Sequence, residues 1–176
     1  MTPLAVVVAT LARAGVPCAL IGASALSAHA VARSTLDIDL MACDPKVLDP
    51  ALWVHVGSGC AADVRRGDLQ DPLAGVVRVT GPGRPVDVVV FGPLGWQAAV
   101  LARAVPVTWA GLDLRVVTPE DLVLLKLYPG GPADLWDVLA LLDAVPDRAA
   151  LVARVEASLS TLPAVMRRRW AKATAP

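Results

Sequence analysis

The chain contains little cysteine and carries no net charge, and each of these scarcities excludes a class of protein. Its three cysteines, Cys18, Cys43 and Cys60, show no paired C-x-x-C spacing. The sequence therefore predicts neither a disulfide framework nor a structural zinc site, and we expect three small buried thiols in a reducing compartment. The formal net charge is zero at pH 7, which argues against a protein that coats nucleic acid by charge alone.

Long apolar runs are also missing, which argues against a secretory signal or a membrane span. Residues 1–11 are apolar, but no basic region precedes them and Arg13 interrupts the run. Charge or proline breaks every other apolar stretch before it reaches the roughly 18 residues that a span requires. We therefore expect a cytoplasmic protein with no membrane partner.

What the chain has in abundance is apolar residues, in patterns that alternate between helix and strand. The 176 residues are 56% hydrophobic, which is ample for the core of one compact unit. Periodicity and turn residues predict helices over residues 3–14, 25–32, 94–104, 119–127, 133–142 and 148–159, with Ser24 as the cap of the second. They predict strands over residues 18–21, 36–42, 76–80, 86–91, 105–110 and 112–117, the last four forming two hairpins.

This order of elements predicts an α/β (α+β) fold, with a short mixed β-sheet flanked by helices. Residues 1–117 would form the core, and residues 118–176 a small helical portion packed on it. Thr118 begins that portion as a helix cap, with Pro119 at the first helical position and acids in the first turn. Residues 45–72 carry turn signals but no pattern that predicts an element.

The most informative stretch is a small-residue turn from Gly22 to Ser24, followed by a strand that carries Asp37 and Asp39. A small-residue turn that opens a helix suits phosphate, and two aspartates one residue apart project from the same face of a strand. Adjacent carboxylates repel each other unless a cation lies between them, and hard oxygen ligands beside a phosphate turn favour Mg²⁺. The stretch therefore indicates phosphoryl or nucleotidyl transfer.

A third carboxylate, Asp87, lies near the start of a later apolar strand. A charge in that position lies against a core unless something binds it. If its strand lies beside the strand of Asp37 and Asp39, three carboxylates converge. Three acids can hold two divalent ions roughly 3.5 to 4 Å apart, one activating the attacking oxygen and the other neutralising a triphosphate.

In combination, these motifs resemble the nucleotidyltransferase superfamily related to DNA polymerase beta. The resemblance depends on the Gly22 turn, on Asp37-Ile38-Asp39 after a helix, and on Asp87 in a later strand. The fuller pattern also contains Arg33-x-Thr35, Thr118-Pro119-Glu120-Asp121-Leu122, and Lys126 followed by Asp134-x-x-Asp137. It is similar to the small bacterial branch that includes the AbiE-type toxin nucleotidyltransferases, over about residues 15–143.

The resemblance implies a nucleotidyltransferase fold and transfer of a nucleoside monophosphate from an NTP to a hydroxyl, with Mg²⁺ or Mn²⁺ as cofactor and release of pyrophosphate. It implies catalytic metal ligands at Asp37, Asp39 and Asp87. It implies nucleotide contacts at Gly22, Ser24, Arg33, Thr35 and Lys126, and substrate-orienting acids at Asp134 and Asp137. The acceptor stays open among an RNA end such as that of tRNA, a protein and a small molecule, as does an antitoxin partner.

The residues themselves leave alternatives open. Arg33 and Thr35 could form only the loop into the strand, and Lys126 could extend its amine to solvent from a helix of leucines. A non-catalytic relic of the same fold could bind a nucleotide or a partner. A metal-dependent glycosyltransferase could hold a sugar nucleotide at Asp37 and Asp39, although 176 residues leave little room for an acceptor domain.

Overall fold

The computed structural model describes residues 1–57, 59–68, 73–93 and 95–175. Its α-helices are α1 (Pro3–Arg13), α2 (Gly22–Ala28), α3 (Trp96–Arg103), α4 (Pro119–Leu127), α5 (Pro132–Ala144), α6 (Arg148–Leu159) and α7 (Ala164–Ala173). Its strands are β1 (Ala19–Leu20), β2 (Ile38–Ala42), β3 (Ala61–Arg66), β4 (Gly75–Thr80), β5 (Val86–Val90), β6 (Val105–Trp109) and β7 (Leu112–Val116). Two short 3-10 helices, Pro45–Leu48 and Pro50–Trp53, connect β2 to β3.

All these strands belong to one mixed sheet in the order β3-β4-β5-β2-β1-β7-β6. β2 runs parallel to β5 and β1 runs parallel to β7, while the other neighbouring pairs are antiparallel. The predicted mixed sheet flanked by helices is therefore confirmed, and so are both hairpins, β4–β5 and β6–β7. Because β5 lies beside β2, the two strands that carry the predicted acids are neighbours.

Alternation along the strands gives the β4–β5 hairpin one apolar face and one charged face. Val77 and Val79 of β4 and Val86 and Val88 of β5 are fully buried, and both strands contact α1. The side chains between them point to the opposite face of the sheet, because successive residues of a strand alternate. The charged residues of the hairpin therefore face away from α1.

The second helix begins earlier and ends sooner than predicted. α2 begins at Gly22, so Ser24 lies in its first turn and is not the cap that the sequence suggested. The helix ends at Ala28 and does not continue to residue 32. Ala30 has a φ of +63°, a left-handed conformation that an α-helix does not contain.

Two 3-10 helices, one strand and one α-helix have no counterpart among the predicted elements, and one predicted boundary cannot be compared. β3 forms the edge of the sheet within residues 45–72, and α7 follows the last predicted helix. The start of the helix predicted at residue 94 lies outside the described residues, and α3 begins at Trp96. In the described ranges, no helix combines the length and the apolar character needed to cross a membrane.

Candidate active site

The predicted acids meet at the centre of the sheet. In the parallel pairing of β2 with β5, Asp39 lies directly opposite Asp87, and Asp37 precedes β2 by one residue. Both paired carboxylates point to the face of the sheet that α1 does not cover. The structure thus brings all three carboxylates together, on elements nearly 50 residues apart in sequence.

Burial and mutual repulsion make two of these carboxylates hold their protons more tightly than usual. Burial is the main cause that raises the pKa of Asp39 to about 6, and the negative charges of Asp37 and Asp87 add to it. Burial also raises the pKa of Asp87, against the opposing effect of Arg78. The Oδ1 atom of Asp87 is buried with no hydrogen-bond partner among the described residues. One buried carboxylate oxygen of the cluster therefore lacks a hydrogen-bond donor.

One cation, Arg78, already lies at this cluster, and the sequence analysis did not identify it. Arg78 is opposite Asp87 in the β4–β5 pairing, and its Nη1 donates to Asp87 Oδ2 at 2.7 Å. Its Nη2 lies 3.8 Å from Asp37 Oδ2. The sequence did contain a signal for Arg78, namely a charged residue among the valines of β4 in a predicted hairpin with Asp87. The guanidinium takes a position between two of the acids.

The donor set fits a divalent cation even though the present arrangement does not enclose one. In the part of the chain that the structure describes, no three His, Cys, Asp or Glu side chains are grouped so that they could hold a metal ion. Still, the donors are all carboxylate oxygens, Asp87 Oδ1 is unpartnered, and Asp39 is crowded by negative charge. Such features suit Mg²⁺ or Mn²⁺, and Arg78 is the group with which that ion would compete.

Gly22 lies so closely against Asp39 that a side chain at this position would displace the Asp39 carboxylate. Its φ is +59°, and a Cβ built on it would lie 2.1 Å from Asp39 Oδ2. The preceding Ile21 N–H donates to the Asp39 carbonyl at 3.0 Å. The backbone of the predicted phosphate turn therefore lies directly against the predicted metal ligand.

A polar cavity of about 230 Å³ lies beside Asp37. It is lined by Ser24, Ser27, Arg33, Ser34, Thr35, Arg84 and Trp109. Thr35 Oγ1 donates to Asp37 Oδ1 at 2.8 Å, and an Arg84 Nη2 hydrogen bond reaches the Asp37 carbonyl. Ser24 is only 1% exposed, and its Oγ has no hydrogen-bond partner among the described residues. Hydroxyl and guanidinium donors in one cavity suit a phosphate group.

Lys126 is paired with acids and does not extend to solvent. Its Nζ lies 3.1 Å from Asp134 Oδ1 and 2.8 Å from Asp137 Oδ2, and its side chain is 17% exposed. Burial by itself would lower the pKa of Lys126, but hydrogen bonds to Asp137 and Asp134 outweigh it, and the pKa is raised. Arg33 Nε also lies 3.2 Å from Asp137. Asp137 thus connects α5 to both predicted nucleotide-binding cations.

A largely apolar cavity of about 390 Å³ extends from Asp39 towards α4. Gly22, Asp39, Lys126 and Asp134 are among the residues that line it. The remaining described lining residues are Ile21, Leu73, Val89, Phe91, Leu122, Leu125, Tyr128 and Pro129. A planar or apolar group could therefore lie next to the acids while its charged part faces Lys126.

Comparisons with known proteins give similarity in structure only. No protein-family model and no curated protein matches the chain. A nucleotidyltransferase-like protein from Paracoccidioides brasiliensis is 15% identical, with a TM-score of 0.53 over 94% of this chain and 91% of that one. The solution structure of the antibiotic-resistance factor ANT(2'')-Ia is 14% identical, with a TM-score of 0.58 over 96% and 91% of the two chains.

A crystal structure of ANT(2'')-Ia in complex with adenylyl-2''-tobramycin is likewise 14% identical, with a TM-score of 0.57 over 95% of this chain and 96% of that one. These similarities extend over nearly the whole of each chain, including the helices after β7. At such low identity they establish the architecture and leave the activity to be argued from the site. The chain has the nucleotidyltransferase fold.

Proposed function

We propose that this protein is an enzyme that transfers a nucleoside monophosphate from an NTP to a hydroxyl acceptor and releases pyrophosphate. The observation that carries the proposal is the register of β2 and β5, which pairs Asp39 with Asp87 beside Asp37. The buried, unpartnered Ser24 hydroxyl in the adjoining polar cavity supports it. The fold supports it too, since ANT(2'')-Ia was solved with an adenylylated antibiotic.

In this proposal the three carboxylates divide the work. Asp37 and Asp39 would hold divalent cations, and Asp87 would help to activate the acceptor hydroxyl. A bound Mg²⁺ or Mn²⁺ would offset the charge of the triphosphate and of the attacking oxygen. Ser24, Arg33 and Thr35 would contact the phosphates from the polar cavity, and Lys126 would approach the nucleotide from the apolar one. Asp134 and Asp137 would orient substrate indirectly, by holding Lys126 and Arg33 in place.

Part of the proposal depends on sequence motifs alone. Assignment to the AbiE-type branch, and with it a toxin role and an antitoxin partner, comes from the sequence pattern that includes Arg33, Thr118 and Lys126. The cytoplasmic location comes from the short apolar runs and the unpaired cysteines of the sequence. The division into a core over residues 1–117 and a helical portion over residues 118–176 also depends on the sequence alone. Genes adjacent to this one would test the toxin role, because an antitoxin is expected beside it.

A second candidate is a relic that binds nucleotide without turning it over. Arg78 favours it, because its guanidinium already neutralises Asp87 where an active enzyme needs a divalent cation. The pairing of Lys126 and Arg33 with acids of α5 points the same way. The two candidates share nucleotide binding and differ in the release of pyrophosphate.

Thermal unfolding with and without metal and NTP tests the ligand binding that both candidates share. Mg²⁺ or Mn²⁺ should raise the melting temperature, and more so with NTP, because ligands that bind only the folded state stabilise it. Replacing Asp37 and Asp39 together (Asp37→Asn with Asp39→Asn) should abolish that shift. A matched control removes two exposed acids far from the site, Asp143→Asn with Asp147→Asn, and should keep it. A double variant at Asp37 and Asp39 that responds to Mn²⁺ like the wild type would mean that the metal site is elsewhere.

A further inference from the structure

A third cavity, of about 280 Å³, opens on the other side of Asp87. It lies over β3 and β4, at the edge of the sheet. Of the described residues that line it, three are arginines (Arg65, Arg66 and Arg78) and one, Asp87, is acidic. The carboxylate that would activate the acceptor therefore borders a basic surface, in contrast to the apolar cavity beside Asp39.

Strand register explains why Arg65 and Arg78 lie together at this cavity. Arg78 is opposite Asp87 across β4 and β5, and Asp63 is opposite Arg78 across β3 and β4. Arg65, two residues after Asp63 on β3, points to the same face because side chains alternate. The charged side chains thus continue the row of acids on the site face of the sheet out to its edge.

Arg65 is held loosely enough to receive a ligand. Arg65 is 77% exposed, and its Nε contacts Asp63 at 2.7 Å. An exposed ion pair of this kind contributes little free energy and rearranges readily. Arg66 points to the opposite face of β3, where its Nη2 donates to the Leu48 carbonyl at 2.9 Å. The cavity therefore has one exposed guanidinium, that of Arg65, and one acid-bound guanidinium, that of Arg78, at its wall.

Guanidinium groups recognise phosphate by paired, charge-assisted hydrogen bonds, and they repel amines. We propose that Arg65 and Arg78 bind a phosphate group of the acceptor, so that the hydroxyl presented to Asp87 belongs to a phosphate-bearing molecule. This inference rests on the proposed function. It sets the chain apart from ANT(2'')-Ia, whose complex contains an adenylylated amino sugar. The phosphate could belong to an RNA end or to a small phosphorylated compound.

Direct binding tests the inference without any catalysis. The probes are a short single-stranded RNA with a free 3'-hydroxyl, a nucleoside 5'-monophosphate, and tobramycin. The variant is Arg65→Gln, because Arg65 contacts none of the three site acids in the described structure. Its control is Arg168→Gln, an exposed arginine of α7. We expect the affinity of Arg65→Gln for the phosphate-bearing probes to fall about tenfold, and the salt dependence of RNA binding to fall by about one charge.

The controls keep this inference separate from the proposed function. Arg168→Gln should bind every probe like the wild type, and both variants should keep the wild-type NTP affinity and melting temperature. RNA binding much tighter than monophosphate binding would identify a strand as the source of the phosphate, and equal binding a small molecule. Tighter binding of tobramycin than of both phosphate probes, or unchanged RNA binding by Arg65→Gln, would overturn the inference. Failure of the wild type to bind NTP would instead contradict the proposed function.

Discussion

At the scale of single residues, the site depends on a glycine that has no room for a side chain. Gly22 combines a φ of +59° with a Cβ position 2.1 Å from Asp39 Oδ2. Two effects would follow any substitution: backbone strain of about 1–2 kcal/mol, and displacement of the Asp39 carboxylate. The chain offers a control that isolates the first effect, since Gly15 has a φ of +66° and no atom within 4 Å of its Cβ position.

We predict that Gly22→Ala loses the Mn²⁺-induced rise in melting temperature and most NTP affinity, because Asp39 must move. Gly15→Ala should lower the melting temperature through strain alone and keep both responses. Thermal unfolding and calorimetric titration of the two variants measure these effects. Wild-type Mn²⁺ and NTP responses in Gly22→Ala would separate this turn from the site.

The crowding of carboxylates also predicts how stability depends on pH. The folded-state pKa of Asp39 is about 6, above its ordinary value of 3.8, so folding favours its protonated form. The stability from this group is complete below about pH 4 and is lost as the pH rises through about 6. We expect the free energy of unfolding without metal to fall by on the order of 3 kcal/mol over that range, with Asp87 contributing in the same direction.

Asp39→Asn, which cannot ionise, should flatten this pH dependence. Urea unfolding at a series of pH values, in the presence of a chelator, measures it for both proteins. Added Mn²⁺ should restore stability above pH 6 in the wild type only. If the free energies of unfolding of the wild type and of Asp39→Asn change with pH in the same way between pH 4 and 6, the assigned crowding is wrong.

At the scale of elements, the sequence predicted what local patterns specify. The β4–β5 hairpin was predictable because β-branched runs flank a Gly-Pro-rich turn, and the pairing of Asp39 with Asp87 followed once the strands were neighbours. Arg78 was missed because its contact depends on antiparallel register, which no local pattern states. Arg84 and Trp109 were missed for a related reason, since they reach the polar cavity from two different hairpins.

The predicted end of the second helix was wrong because a single backbone conformation decides where that helix ends. Ala30, two residues after the end of α2, has a left-handed conformation that prevents the helix from continuing, and an alanine in the sequence does not indicate that conformation. β3 was missed because its exposed side chains hide the alternation of a sheet edge. α7 was missed although its Arg169 has a structural role: it donates to the carbonyls of Leu127, at 2.9 Å, and Tyr128 at the end of α4.

That contact fixes α7 to the end of α4. Arg169→Gln should lower the free energy of unfolding by about 1–3 kcal/mol, because the carbonyls at the end of α4 lose a charged donor. Arg168→Gln, on the exposed side of the same helix, should change it by less than about 0.5 kcal/mol. Chemical denaturation of both variants measures the difference. Equal stability of the two would show that the Arg169 contact is energetically neutral.

At the scale of the whole molecule, three cavities of different chemistry lie around the three carboxylates. The apolar one borders Asp39 and the arginine-lined one borders Asp87, while the polar one is lined by Thr35 and Arg84, which contact Asp37. The central β2–β5 pair produces this arrangement, because it collects the acids at one place while hairpins and helices supply different walls. A nucleotide and an acceptor could thus approach from different sides of one catalytic centre.

The central claim is that these acids perform nucleotidyl transfer and that Asp87 acts on the acceptor. The most direct test is a pyrophosphate-release assay on wild type and Asp87→Asn, with Mg²⁺, each NTP and pooled RNA and protein acceptors, alongside calorimetric NTP binding. Asparagine can still accept the Arg78 hydrogen bond, so the fold should persist. We predict NTP affinity within a few-fold of wild type and transfer lower by on the order of 10² or more, because activation of the nucleophile acts on the transition state. Equal turnover by both proteins would contradict the role of Asp87, and no release by the wild type with any acceptor would contradict the enzyme itself.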